Sequence, residues 1–160
     1  MKRLEDLFQH FLRDIYYAEK QVLKTLPKMA RKADSDQLRA AFEEHHVETQ
    51  QQLENLESAF ESLGLRARGV TCDAILGILA EAQDIMSEVE DADTLDAGMI
   101  ASAQAVEHYE ITRYGTLIAW ATTLGHDDVV PLLRANLDQE YATDRRLSDL
   151  AESRLNREAA

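Results

Sequence analysis

The sequence predicts an all-α fold: an antiparallel four-helix bundle of two helical hairpins, joined by a long crossover that contains a fifth, shorter helix. Three observations predict it. Apolar residues recur at helical spacing along almost the whole chain, and no run alternates as a β-strand does. Helix start and stop signals divide this pattern into four long segments and one short segment. With 160 residues, the chain has the size of a single domain with one core.

The first hairpin consists of two long amphipathic segments separated by the turn ADSDQ. Helix 1 has a continuous apolar face, and Pro27 is expected to kink or divide it. Ser35 or Asp36 provides the N-cap of helix 2, and Gly64 ends that helix. The predicted bounds are residues 3–33 and 36–63.

The crossover and the second hairpin follow the loop LRARGV. Thr71 is the predicted N-cap of the short helix and Asp93 that of helix 4, while Gly125 ends helix 4 and Pro131 falls in the first turn of helix 5. The short helix spans roughly 28 Å at 1.5 Å per residue, enough to carry the chain back along a bundle. Such a crossover is typical of ferritin-like bundles. The predicted bounds are residues 72–90, 94–123 and 127–157.

Each of the four long helices interrupts its own apolar face with carboxylates. The segment AVEHYEITRYGTLIAW shows the pattern, because two acids lie there among Val106, Ile111 and Leu117. On helix 2, His45 and Gln52 share the apolar face. The inward acids are Glu19 in helix 1, Glu48 at the edge of the face in helix 2, Glu107 and Glu110 in helix 4, and Glu140 and Asp144 in helix 5.

These acids also lie at matching distances from the two predicted hairpin turns. Glu19 lies about 15 residues before the first turn, and Glu48 about 14 residues after it. Glu110 and Glu140 each lie 15 residues from Gly125, in the second turn. Antiparallel pairing therefore predicts that six carboxylates and one imidazole converge on one interior patch.

The free energy of burial limits what such a patch can be. One ionised carboxylate buried without a partner costs several kcal/mol, against a total stability of about 5–15 kcal/mol. The acids could share protons, pair with buried bases or bind cations. Lys and Arg do not occur on these faces near this level. Two divalent metals are therefore favoured, and an oxygen-rich site with little imidazole suits iron or manganese better than zinc.

Charge and cysteine content argue against several function classes. With 30 acidic and 17 basic residues the net charge is -13, which opposes binding to nucleic acid or to an anionic membrane. Cys72 is the sole cysteine, which excludes an intrachain disulfide and fits a reducing cytoplasm. No stretch is apolar enough to span a membrane, and the N-terminus does not resemble a signal peptide. We expect a soluble cytoplasmic protein.

Three segments carry a family resemblance: LEDLFQHFLRDIYYAEKQVLKTLPKMA, LRAAFEEHHVETQQQLENLESAF and AQAVEHYEITRYGTLIAWATTLG. Through them nearly the whole chain resembles the YciE/YciF family of bacterial ferritin-like, rubrerythrin-like stress proteins. The resemblance implies a rubrerythrin-like bundle, a homodimer and a ferroxidase activity that is assigned to the family largely from its fold.

The resemblance also implies a ligand set. The usual di-iron pattern has Glu-x-x-His on two helices, whereas helix 2 here has the reverse order, His45-x-x-Glu48, and helix 5 has no inward histidine. This departure leaves the site poorer in nitrogen and favours manganese, or iron that reacts slowly. The implied metal ligands are Glu19, His45, Glu48, Glu107, Glu110, Glu140 and Asp144.

The leading functional prediction is an oxidoreductase with two iron or manganese ions that reacts with Fe(II) and O2 or with peroxide. Glu19, Glu110 and Tyr114 are its predicted catalytic residues. Tyr114 could be a redox-active phenol, a hydrogen-bond donor to a ligand or a core residue. The alternative is a non-catalytic dimeric bundle with a structural or vestigial metal site. His45 itself could be a metal ligand or a core histidine that is hydrogen-bonded to Glu48. Iron storage in a hollow shell is disfavoured.

A second stripe on helix 4 lies away from the predicted metal patch. Tyr109, Arg113, Thr116 and Trp120 recur there at helical spacing. A helix with large side chains on two sides is expected to pack against a neighbour on each side. The crossover helix or a second protomer could provide that cover, and a symmetric dimer is the commonest oligomer.

Overall fold

The computed structural model describes residues 1–160, and every element of regular structure in it is helical. The predicted all-α class is therefore confirmed. The chain ends in a π-helical turn, Ala151–Leu155, and a last short helical turn, Asn156–Glu158. The five main helices are α1 (Leu4–Lys32), α2 (Asp36–Ser62), α3 (Asp73–Glu88), α4 (Ala92–Leu124) and α5 (Val130–Leu150).

The four long helices surround one core, as the ferritin-like prediction requires. Helices α1 and α2 pack along each other as one hairpin, and α4 and α5 as the other. The hairpins meet through α2 against α5 and α1 against α4, while the crossover helix α3 lies outside against α4 and α1. No helix has the length and apolarity to cross a membrane.

The ends of the helices follow local capping chemistry, with two corrections to the predictions. Ser35 caps α2 as predicted, because its Oγ accepts a hydrogen bond from the Leu38 amide. The caps of α3 and α4 are Cys72 and Asp91, so the predictions of Thr71 and Asp93 were wrong. Several polar residues cluster at each of these starts, and spacing alone does not say which one leaves the helical backbone conformation.

Pro27 does not divide α1, which is continuous from Leu4 to Lys32, so the expected division is wrong. Only five residues of the helix follow it, and the loss of one backbone donor so near the end leaves most of the helix intact. Gly125 ends α4 as predicted, because its φ of 78° lies in the left-handed region. Pro131 falls in the first turn of α5, where its missing N–H costs little.

The second stripe of α4 is covered within the chain. The Tyr109 hydroxyl donates to Asp14 of α1 and lies 2.9 Å from the Sγ of Cys72, the residue that starts α3. The Arg113 guanidinium lies 4.1 Å from the centre of the Phe11 ring. The start of the crossover helix and α1 therefore cover part of this stripe, whose residues remain half-buried, and a second protomer stays a prediction.

Candidate metal centre

Four potential ligand side chains meet in the interior of the bundle. His45 comes from α2, Glu107 and Glu110 from α4, and Glu140 from α5, and one ligand atom of each lies within 4.8 Å of those of the others. None of the four is more than 3% exposed. Glu107 and Glu110 point inward together because they lie three residues apart on one helix. We call these four residues the central cluster.

His45 faces the carboxylates with a neutral imidazole. Its Nε2 lies 3.4 Å from Glu107 Oε1, and its Nδ1 lies 3.4 Å from the hydroxyl of Thr143. The distance from Nδ1 to Glu48 Oε2 is 3.9 Å, too long for the hydrogen bond expected of a merely structural histidine. Burial lowers the pKa of His45 to about 4, so at neutral pH the ring keeps a lone pair for a metal.

The carboxylates of the central cluster have no partners outside the cluster. Both oxygens of Glu110, both oxygens of Glu140 and the Oε2 of Glu107 are buried without a hydrogen bond. No Lys or Arg forms an ion pair with these three acids, and the one basic side chain that contacts them is the neutral His45, 3.4 Å from Glu107. Burial raises the pKa of all three acids, and repulsion from neighbouring carboxylates raises each of them further. Orphaned acceptors of this kind fit a bound cation, because without one the acids must retain protons.

Glu19 of α1 lies beside the central cluster and is completely buried. Repulsion from its carboxylate, when ionised, raises the pKa of both Glu107 and Glu110. The hydroxyl of Tyr114 donates to Glu19 Oε1, while Oε2 has no partner. Burial raises the pKa of Glu19 to about 8. Tyr114 therefore holds one oxygen of this acid and leaves the other free.

Asn136 of α5 holds Tyr114 in turn. Its Nδ2 donates to the Tyr114 hydroxyl at 3.0 Å and to the backbone oxygen of Gln52 at 3.1 Å. Its Oδ1 accepts from Asn55 at 2.7 Å. Buried polar networks of this kind fix side-chain positions when all their members are paired. Asn136 thus supports the phenol that contacts Glu19.

Glu48 and Asp144 lie at the edge of the site, outside the central cluster. Glu48 is 29% exposed and accepts a hydrogen bond from Thr143 at 3.2 Å. Asp144 accepts from Gln104 at 3.1 Å and lies 3.2 Å from His108 Nε2. Both acids already have partners, so the structure brings together four of the seven predicted ligands, with Glu19 adjacent and these two peripheral.

Sequence reasoning missed Asn136, Thr143 and His108. A signal existed for Asn136, because it is a polar residue between Leu133 and Leu137 on the inward face of α5. No comparable signal in the sequence marks His108. Only its contact with Asp144, which the structure shows, connects it with the site.

Comparisons with known proteins agree with this architecture. Residues 3–160 match the profile of DUF892, a domain of unknown function. The chain belongs to the DUF892 family. Protein YciF of Escherichia coli (strain K12) is 41% identical over 160 residues, which cover 99% of this chain and 96% of YciF. The resemblance to the YciE/YciF family is thereby confirmed.

Solved structures of similar proteins have the same fold. The E. coli stress protein YciF superposes with a TM-score of 0.93, and the match covers 98% of this chain and 99% of YciF. YcfI from Rhodopseudomonas palustris, whose assignment as a structural protein is provisional, is 50% identical with a TM-score of 0.92 over 94% of this chain and 96% of YcfI. A protein from Xanthomonas campestris, 24% identical with a TM-score of 0.72 over 94% of this chain and 92% of its own, shares the fold.

Proposed function

We propose that this DUF892 protein is a di-metal carboxylate oxidoreductase that holds two iron or manganese ions and reacts with O2 or peroxide. One observation carries the proposal: five carboxylate oxygens of Glu107, Glu110 and Glu140 are buried without partners around a neutral imidazole. Oxygen donors with a single nitrogen are the ligand type that iron and manganese accept. Zinc sites usually contain more His or Cys.

The central cluster and Glu19 would hold the two ions, and Glu48 and Asp144 complete the predicted ligand set from the edge. Acids on three helices could each contact an ion from a different direction. When bound, the ions would supply the redox equivalents and the Lewis acidity for reaction with the oxidant.

The protein's own residues prepare the centre in three ways. The acids, whose pKa values are raised by burial, release protons as ions bind, so binding strengthens as pH rises. Tyr114 fixes Glu19 Oε1, and Asn136 fixes the Tyr114 hydroxyl. The bundle buries the central cluster, whose residues are at most 3% exposed, and so keeps bulk water from the centre.

The proposed physiological setting is bacterial stress. YciF of E. coli is described as a stress protein, and we carry that role to this chain as part of the proposal. We further propose a cytoplasmic homodimer with metal ions, O2 or peroxide as its ligands and substrates. The net charge of -13 supports the absence of nucleic acid and anionic membrane surfaces from its partners.

The second candidate function uses the same site but involves no catalysis. In this alternative the bundle is a dimeric structural protein, and the metal is structural or vestigial. The provisional assignment of YcfI as a structural protein favours it. The site could also exist without any ion, with its acids protonated, since burial raises their pKa values.

A reaction with bound Fe(II) separates the two functions. The protein is loaded anaerobically with Fe(II) and mixed with O2 or H2O2 in a stopped-flow spectrometer. The enzyme proposal predicts oxidation at least about tenfold faster than Fe(II) in buffer, and a Glu110→Ala variant should fall to the buffer rate with its helicity by circular dichroism unchanged. Glu54→Ala, on the exposed side of α2, is the matched control and should behave as wild type. Fe(II) that binds but reacts with neither oxidant faster than in buffer would contradict the enzyme proposal and support the structural alternative.

A further inference from the structure

A cavity with several polar side chains in its wall lies between α2 and α5. Its volume is about 100 Å³, large enough for several water molecules. Its polar wall is formed by Glu44, Glu48, Thr143 and Arg146, and the rest of the wall is aliphatic. Thr143 joins the cavity to the centre, because its hydroxyl lies 3.4 Å from Nδ1 of His45.

Side chains that can ligate a cation follow one another along this cavity from solvent to the centre. The side chain of Glu44 is 58% exposed, and Glu48, one helical turn further along α2, is 29% exposed. The Thr143 hydroxyl donates to Glu48 at 3.2 Å and lies 3.4 Å from Nδ1 of the buried His45. These groups form a row of cation ligands that ends at unpartnered buried oxygens.

The outer end of the row is closed by an ion pair. Arg146 of α5 donates to Glu44 of α2, and both side chains line the cavity. A guanidinium at this position repels other cations and occupies the outermost carboxylate. The pair is half exposed, so its net stabilisation is small and it can open readily.

The opposite side of the centre offers no comparable route. A cavity of about 10 Å³ touches His45 and Glu107 there, but it barely holds one water molecule. Its other lining includes Val22, Leu26 and Val106, and it contains no further carboxylate. A hydrated divalent cation would lose its water there without gaining ligands.

We propose that divalent cations reach the buried centre between α2 and α5, along Glu44, Glu48 and Thr143, and that the Arg146–Glu44 ion pair is the gate of this path. The proposal rests on the proposed function insofar as the centre must bind metal. An arriving cation displaces Arg146 from Glu44, and Glu48 and Thr143 then replace part of its hydration before it meets His45.

Opposite effects of the two gate residues distinguish this role from that of an ordinary surface ion pair. Glu44→Gln removes the first carboxylate of the path and should slow metal uptake at least about threefold, whereas Arg146→Gln removes the repelling charge and should accelerate it by a similar factor. Both variants should reach the same final metal content as the wild type, because neither residue lies in the central cluster. A pair that served stability alone would lose the same contact in both variants and would not shift the rates in opposite directions.

The experiment follows Co(II) uptake by the metal-free full chain in a stopped-flow spectrometer, using the visible absorption of the bound ion, with final content measured by elemental analysis. Arg154→Gln and Glu158→Gln are matched controls, because they break another exposed Arg–Glu pair and change the net charge by the same amounts. Rates that move in opposite directions for the gate variants and stay within about twofold for the controls support the path. Unchanged gate rates with full Co(II) binding would overturn the path alone, and a wild type that binds no Co(II) would overturn both the path and the proposed centre.

Discussion

Replacing Glu110 with leucine should stabilise the metal-free protein and abolish metal binding. Glu110 is fully buried, and neither of its carboxyl oxygens has a hydrogen-bond partner. Leucine has a similar size and no polar atoms, so Glu110→Leu removes the cost of an unpartnered buried carboxyl. That cost is about 1–3 kcal/mol for a neutral group and larger for an ionised one, so we expect a gain of about 2 kcal/mol.

The gain is measurable as a melting temperature. For a chain of this size, 2 kcal/mol corresponds to a rise of about 4–8 °C in Tm. Circular dichroism melts of chelator-treated protein at pH 8 measure it, with Glu54→Leu on the exposed face of α2 as a control that should change the stability by no more than about 0.5 kcal/mol and keep its metal. A lower Tm for metal-free Glu110→Leu would refute the reasoning, because it would mean that the carboxyl already has a stabilising partner.

Three further predictions follow from the same site. In the metal-free protein the free energy of unfolding should fall by at least about 1.5 kcal/mol between pH 6.5 and 8. Glu19, with its pKa raised to about 8, contributes this much alone, because it keeps a proton in the folded state that the unfolded chain has lost, and Glu107, Glu110 and Glu140, whose pKa values are also raised, add to the fall; urea denaturation at each pH measures it, and a flat or rising profile would contradict it. Mn(II) at 100 times its Kd should raise the free energy of unfolding by about 2.7 kcal/mol, reversibly on addition of chelator; no change in the urea midpoint would count against binding. Tyr114→Phe should lower stability by about 1–3 kcal/mol, because Glu19 loses its donor, with metal content by elemental analysis unchanged; loss of the metal would make Tyr114 part of the binding site.

The fold was predictable because the same apolar pattern recurs along the sequence. Apolar residues at helical spacing define every long helix, and Gly125 marks the second hairpin turn as clearly in the sequence as in the structure. The ends of the helices were less predictable. Helix α5 begins at Val130, after a short turn, whereas the polar residues from Asp127 suggested an earlier start. Competing local hydrogen bonds decide such ends, and spacing does not rank them.

The central cluster was predictable because burying acids on the apolar face of a helix costs free energy. Glu110 and Glu140 lie where large apolar side chains would otherwise pack, and their equal distances from Gly125 placed them at one level. Glu48 and Asp144 show the limit of this reasoning. Both lie near the edge of a face, where a long side chain can turn inward or outward, and neighbours on other helices hold them at the periphery. The sequence does not show those neighbours.

The central claim is that the buried acids bind two metal ions. The most direct test is the metal content of untagged protein, purified without added metal or chelator and measured by elemental mass spectrometry beside a Glu19→Ala, Glu110→Ala double variant. We predict about two iron or manganese ions per chain in the wild type and none in the folded double variant. A folded wild type that contains no metal, and that takes up neither iron nor manganese on anaerobic reconstitution, would contradict the claim and show that the acids of the bundle are held by shared protons.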